Sequence, residues 1–437
     1  MITARFITFK LLMKMNANAY SNIILDNALT EYDLSLQDKK FASYLFYGVV
    51  ERKITLDYVI QCYSSKPISK INKELLQILR MGIYQLMYMP SVPESAAVNE
   101  CVNLTKQVKM TSATGFINAI LRNFIRDDKK IKPIADKVKS LSVQTSCPIW
   151  LVEKWIADFG EEIAVKLLNF TCERPQIYIR VNTVLTNTDE VVRELTISGV
   201  ETEINDNISD CIKISGTSSI ERQSAFKKGY FHVQDISSQF CCKALNPQRG
   251  DVIFDLCAAP GGKTFTLAEL VQNDAEIYAF DLHEKRVNLI KDGAKRLGLS
   301  CISAVKGNAK EFNPLLPLAD KILCDVPCSG LGVIRKKPEI KYKNPKDLDN
   351  LPQIQYDILE NAAKYLKVGG ELVYSTCSLN KEENDFVIDK FLENHEEFAP
   401  CDFLEEFGMP FGDYKTTILP MQFNSDGFFI SKIKKIH

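Results

Sequence analysis

From Asp251 to Thr376 the chain alternates short apolar runs of strand character with longer helical ones, and this pattern constrains the fold most tightly. Val252–Leu256, Ile277–Asp281, Ile302–Val305, Lys321–Asp325 and Glu371–Thr376 read as strands, with helices near 264–272, 284–297, 348–366 and 382–394. Such alternation predicts an α/β, Rossmann-like core with a largely parallel, doubly wound sheet. Two further strand-like runs between Thr416 and Ile433, with Asn424-Ser425-Asp426-Gly427 between them, suggest a hairpin-like ending.

Upstream the periodicity differs. Leu75, Leu76, Leu79, Ile83, Leu86 and Met87 form an amphipathic helical stripe, with Asn72 as its expected cap. Similar stripes over residues 1–130 predict an all-α domain of roughly five to seven helices. Asp127 to Lys139 reads as a solvated lysine-rich connector. Between 141 and 230, Ile177–Asn182 alternates like a strand, 188–195 reads as a helix with Thr188 as a candidate cap, and Glu201–Ile204 and Cys211–Ile214 read as short strands. This is a small α+β linker module. The chain is therefore multidomain, with expected divisions 1–140, 141–230 and 231–437.

In a doubly wound sheet, ligands bind outside the carboxyl ends of the strands. The run Cys257-Ala258-Ala259-Pro260-Gly261-Gly262-Lys263 follows the first such strand. Its small residues and glycines permit close backbone approach. Asp281 ends the next strand, 19 residues past Gly262, and a carboxylate there can accept hydrogen bonds from both hydroxyls of a ribose. The turn lacks the spacing of a dinucleotide fingerprint or a P-loop, which favours a mononucleoside such as S-adenosylmethionine.

Two of the 13 cysteines stand apart. Cys328, in Asp325-Val326-Pro327-Cys328-Ser329, and Cys377, in Ser375-Thr376-Cys377-Ser378, each follow a strand. Neighbouring strands lie about 4.8 Å apart, so both thiols would face one pocket beside the cofactor turn. A thiolate adding to C6 of a pyrimidine makes C5 nucleophilic, which is covalent catalysis on an unreactive ring. Asp325 would contact the base edge or the cofactor. An arbitrary buried cysteine is usually a small hydrophobe, and ten of the others are read that way, with Cys257 a turn residue lining the cofactor site.

These runs resemble the signatures of the Sun-type RNA cytosine-5 methyltransferases: Asp255 to Thr264, Asp325 to Gly330, Ser375 to Ser378, Gly229 to Gln239 and Asp426-Gly427-Phe428-Phe429. The helical region resembles a NusB-like RNA-binding domain. The resemblance implies S-adenosylmethionine held by Cys257, Ala258, Ala259, Pro260, Gly261, Gly262, Lys263, Asp281 and Asp325. It implies that Cys377 is the nucleophile and that Cys328 assists product release. Where the family usually carries Asp, this chain has Asn308, whose side-chain carbonyl can still accept a hydrogen bond from an adenine amino group. The implied substrate is 16S rRNA. The same chemistry on tRNA, or a non-catalytic RNA-binding assembly factor, are the alternatives.

The charge distribution suggests a polyanionic partner for the first part of the chain, with two solvated surfaces of different composition as the alternative. Residues 1–140 carry 20 Lys and Arg against 12 Asp and Glu, although the whole chain is at −1. Arg335, Lys336, Lys337, Lys341 and Lys343 are candidates for lining an RNA path, with a solvated loop as the alternative. No apolar run is long enough for a membrane span, no secretion signal is read, and the odd cysteine count fits reduced thiols in the cytoplasm. With no Cys-x-x-Cys pair and four His, a metal site is not expected, and a monomer is the default.

Overall fold

The computed structural model describes residues 3–15, 21–32, 34–217, 219–403 and 414–437. The chain divides into two compact units. One comprises Met1–Glu173 with Ile334–Pro345, and the other Arg174–Val333 with Lys346–His437.

The first unit is all helix. Seven α-helices, from Ala4–Lys14 to Thr114–Arg126, precede Lys137–Thr145, Ile149–Phe159 and Glu161–Phe170. Lys73–Tyr88 shows why the stripes fold this way. The Asn72 side chain accepts a hydrogen bond from the Glu74 N–H at 2.8 Å, satisfying a donor the helix itself leaves open. Its apolar face, with Ile78, Leu79 and Ile83, is buried against Phe46, Leu56, Ile117 and Leu121. Arg80, largely buried on the same helix, makes a bidentate pair with Asp57, at 2.6 and 2.7 Å. The connector 127–139 is shorter than its composition suggests, because Asp136 caps the helix beginning at Lys137.

Ile334–Pro345 joins this unit from far along the sequence. Within it, the Arg335 guanidinium lies over the Phe170 ring at 4.1 Å, and the Ser21 hydroxyl donates to Glu339 at 2.8 Å. Lys341 is fully buried and its ammonium donates to the Glu51 carbonyl at 2.9 Å. This corrects the reading of Lys341 as a residue that lines an RNA path. Of the five, only Lys337 is exposed, and Lys341 is a packing residue because burial of a charge demands a fixed partner.

The second unit holds two sheets. The smaller is antiparallel: β1 (Ile177–Val181), β2 (Glu201–Ile204), β3 (Cys211–Ser215) and β4 (Phe231–Val233), in the order β2-β3-β1-β4. The helix Thr188–Ile197 is capped by Asn187, not Thr188; the Asn187 side chain accepts from the Glu190 N–H at 3.0 Å.

The larger sheet contains β5 (Val252–Asp255), β6 (Glu276–Asp281), β7 (Ile302–Lys306), β8 (Ala319–Asp325), β9 (Leu366–Thr376), β10 (Phe398–Pro400), β11 (Lys415–Ile418) and β12 (Phe428–Lys435). Its order is β10-β12-β9-β8-β5-β6-β7, with β11 paired to β12. The strands from β9 to β7 are parallel, and the C-terminal strands are antiparallel, so the sheet is mixed. Alternate residues feed opposite layers: Ile253, Leu323 and Val373 pack on one face, and Phe254, Ile322, Leu372 and Tyr374 on the other. Burial on both faces is what the near-continuous apolar runs encode. From β5 the chain winds outward to β7, then returns to β8 on the other side of β5. The order therefore reverses between β5 and β8, and the carboxyl ends there border a crevice. Among the described residues, no helix is long and apolar enough to cross a membrane.

Candidate active site

The glycine turn occupies that crevice. It leaves β5 at Asp255 and enters the helix Gly262–Leu270. Gly261 has φ of +110°, and a Cβ there would fall 2.4 Å from the Phe265 ring, so only glycine fits without strain. The turn is fastened by the Ala258 N–H to the Phe280 carbonyl at 2.8 Å and by the Arg286 guanidinium to the Ala259 carbonyl at 2.7 Å. The first N–H groups of the following helix give the turn a positive end.

Three acidic side chains surround it. Buried Asp255 accepts from the Thr264 hydroxyl at 2.7 Å, while its Oδ1 has no hydrogen-bond partner. Burial pushes its carboxyl up to about 7. Asp281, at the end of β6, accepts from the His283 N–H at 3.1 Å and pairs with Arg286 at 3.2 Å. Asp325, at the end of β8, receives the Lys263 ammonium at 2.7 Å and the Ser375 hydroxyl at 3.0 Å.

Asn308 lies beyond the end of β7 and lines a cavity of about 230 Å³ with Leu256, Phe280, Gly307 and Phe312. Its Oδ1 accepts from the Lys310 N–H at 3.2 Å, and its amide donates to Glu311 at 2.8 Å. A second lone pair of Oδ1 is left for a ligand.

The two thiols meet. Strand register pairs Asp325 with Ser375, so Cys328 and Cys377 leave adjacent strands side by side. Their sulfurs are 3.2 Å apart, and both cysteines are free. The contact polarises the pair. The hydrogen bond between the two thiols holds Cys377 below its ordinary range, against burial and Asp325, with Lys263 also favouring the thiolate. Cys328 is pushed well above its ordinary range by the same hydrogen bond, then by burial and by the charges of Glu383 and Asp325. The arrangement suits one thiolate nucleophile with a protonated neighbour.

Other cysteines differ in kind. Cys324 lies one strand position before Asp325, buried, and burial pushes its thiol well up; Cys241 is likewise raised, to about 12.

Gly332 closes the corner. Its N–H donates to the Cys377 carbonyl and its carbonyl accepts from the Gly427 N–H, both at 2.9 Å. A Cβ on Gly332 would fall 1.9 Å from the Gly427 oxygen. The glycine of the C-terminal Asp426-Gly427 step thus has a place in the site.

Sequence reading brought together the turn, Asp281, Asp325 and the thiols. It missed Glu383, whose buried carboxylate bonds to Ser329 and Ser378, the residues following the two cysteines. The run Lys381-Glu382-Glu383-Asn384 looks like a solvated helix start, and only Glu383 and Asn384 of it are buried. A carboxylate six residues after Cys377 was the only available signal. Among the described residues, no group of three or more His, Cys, Asp or Glu is arranged to hold a metal ion.

Comparison with known proteins matches three parts of the chain to family models. Residues 2–126 match the NusB family, 147–221 the ferredoxin-like domain of RsmF/B-like methyltransferases, and 242–434 the 16S rRNA methyltransferase RsmB/F family. The chain is 37% identical to a probable ribosomal RNA small subunit methyltransferase B of Bacillus subtilis, over 99% of both chains. It is 32% identical to the ribosomal RNA small subunit methyltransferase B of Proteus mirabilis, over 92% of both. The crystal structure of PH0851 superposes with a TM-score of 0.83 at 27% identity, covering 98% of this chain and 97% of that one. NSun6 from Pyrococcus horikoshii, solved with SFG, gives 0.61 at 25% identity over 66% of this chain and 98% of its own. With its NusB-like helical domain, ferredoxin-like module and Rossmann-like core, the chain belongs to the ribosomal RNA small subunit methyltransferase B family.

Proposed function

We propose that this protein methylates C5 of a cytosine in small-subunit (16S) rRNA through a covalent adduct between Cys377 and C6 of the base. The observation that carries the reading is the 3.2 Å thiol pair at the ends of adjacent strands, beside a turn suited to a nucleoside cofactor.

S-adenosylmethionine, when bound, supplies an electrophilic methyl group. The residues present fit it. Asp255 Oδ1 is a buried acceptor without a partner, and Asp281 keeps lone pairs for ribose hydroxyls beyond its bonds to His283 and Arg286. The turn from Cys257 to Lys263 would cradle the amino-acid end, with Asn308 at the adenine and Asp325 between cofactor and base. A structural neighbour solved with the S-adenosylmethionine analogue SFG supports this choice.

Cys377 attacks C6 as the thiolate, forming an S–C6 bond and pushing the ring electrons to C5. With the methyl donor bound, C5 would take the methyl carbon as the donor's sulfonium S–CH3 bond breaks to leave a neutral thioether, and the C5 proton would then pass to a base. Elimination breaks the S–C6 bond and returns the thiolate. Cys328, held against Cys377 in its protonated form, assists this release. The target must be single-stranded or flipped out, because attack occurs above and below the ring plane.

Purified protein offered 16S rRNA and tRNA with methyl-labelled cofactor should label the rRNA, nucleoside analysis should find the label in 5-methylcytidine, and bisulfite sequencing should place it. Label on tRNA alone would move the substrate, and label at another atom would remove the covalent route.

A further inference from the structure

Cys328 and Cys377 sit on separate loops, so something must hold their sulfurs at contact. Glu383, fully buried, is bonded to both loops. Its Oε2 accepts from the Ser329 N–H at 2.7 Å and the Gln355 amide at 3.0 Å. Its Oε1 accepts from the hydroxyls of Ser329 at 2.5 Å and Ser378 at 2.9 Å. Gln355 also donates to the Pro327 carbonyl at 2.9 Å, gripping the residue before Cys328. The Tyr374 hydroxyl donates to the Glu383 carbonyl at 2.6 Å, and the next residue, Asn384, bonds Thr376 at 2.6 Å and Ser378 at 3.0 Å. Four donors converge on one buried carboxylate, from the residues that follow the two cysteines and from Gln355.

We propose that Glu383 is a positioning residue for methyl transfer: it clasps the two thiol-bearing loops together and sets a negative charge on the Cys328 side of the pair. The second half of the proposal rests on the reading of Cys377 as nucleophile. The charge matters because two thiols are the same chemical group, and only their surroundings tell them apart. Glu383 takes two hydrogen bonds from Ser329, the residue after Cys328, and one from Ser378, the residue after Cys377, so its charge lies toward the Cys328 loop. Its charge raises the Cys328 thiol, whereas the Lys263 ammonium favours the Cys377 thiolate. Asp325 is common to both thiols. A fixed anion on one side and the Lys263 ammonium on the other make Cys377 the better place for a negative charge. Burying such a carboxylate is costly unless all its lone pairs are used, and here the two thiol loops and Gln355 use them.

Glu383→Gln keeps the shape and removes the charge. The serine hydroxyls can turn to accept from the new amide, so the clasp survives in part. With limiting iodoacetamide near neutral pH and no RNA, the parent should be alkylated at Cys377. In Glu383→Gln the ratio of label on Cys377 to label on Cys328 should fall about tenfold, the effect of one pK unit in relative acidity. Glu383→Ala removes the clasp as well and should lower kcat about a hundredfold, the cost of misplacing a reacting group by about 1 Å. KM for RNA and cofactor affinity should stay within about twofold of the parent, because neither ligand touches Glu383. Glu383→Gln should recover most of that kcat. Ser378→Ala, which leaves the carboxylate in place, should show the kcat loss in weaker form and keep the labelling ratio of the parent. An unchanged labelling ratio in Glu383→Gln, or parental kcat in Glu383→Ala, would overturn the proposal. Labelling without RNA tests the thiol pair alone, so it can fail while the proposed reaction stands. A protein–RNA adduct on Cys328 would instead sink the reaction and leave the clasp.

Discussion

The glycine turn and the thiol corner lie at neighbouring strand ends, yet they are held by different means. The turn is fixed mainly by backbone: a glycine at positive φ, an N–H to a strand carbonyl and the start of a helix. The corner is fixed mainly by side chains: Glu383 bonds both loops, Gln355 the Cys328 loop and Asn384 the Cys377 loop, alongside the backbone bonds of Gly332. A backbone-held site tolerates most side-chain changes and fails at glycine. A side-chain-held site fails when one buried polar group is lost, because its partners are then left without bonds.

The sharpest break in this comparison comes at the thiols. Cys377→Ala should abolish methyl transfer, and Cys328→Ala should stall turnover after addition; single-turnover methylation assays separate the two. Next in size is Gly261→Val. It forces a β-branched side chain to φ of +110° against Phe265, and should cost about 1–3 kcal/mol of strain with a matching loss of cofactor affinity, read by calorimetry. Asp281→Asn should be milder, weakening cofactor binding roughly tenfold through loss of a charged acceptor.

These regions also differ in how far the sequence disclosed them. Turn residues announce themselves by type, because only glycine accepts the φ of residue 261. Strands were readable where both faces are buried, as in Lys321–Asp325. The clasp was hidden because Glu383 sits in a charged run whose exposure depends on tertiary packing, not on local pattern. Lys341 misled for the same reason: a lysine among basic neighbours reads as surface, and here it is buried on the Glu51 carbonyl. The antiparallel strands at the end of the large sheet were recognised as a hairpin, but their pairing with β9 depends on contacts distant in sequence.

Smaller effects sharpen the comparison. Asp255 is pushed up to about 7 by burial, so its folded value lies above its unfolded one. The folded state therefore binds the extra proton, and stability falls as pH rises from about 4 to about 7, then levels off. Asp255→Asn should remove that slope, giving a variant that gains on the parent across this window in chemical denaturation. Smallest of all, Lys337→Ala should lower the salt dependence of RNA binding by at most about one unit of slope. Lys341→Ala should leave that slope unchanged and destabilise the helical unit.

The account turns on which thiol attacks. Cys328→Ala protein, incubated with 16S rRNA and S-adenosylmethionine, should accumulate a denaturation-resistant protein–RNA adduct, and peptide mapping should place the linkage on Cys377. An adduct that forms instead in Cys377→Ala, linked through Cys328, would contradict it.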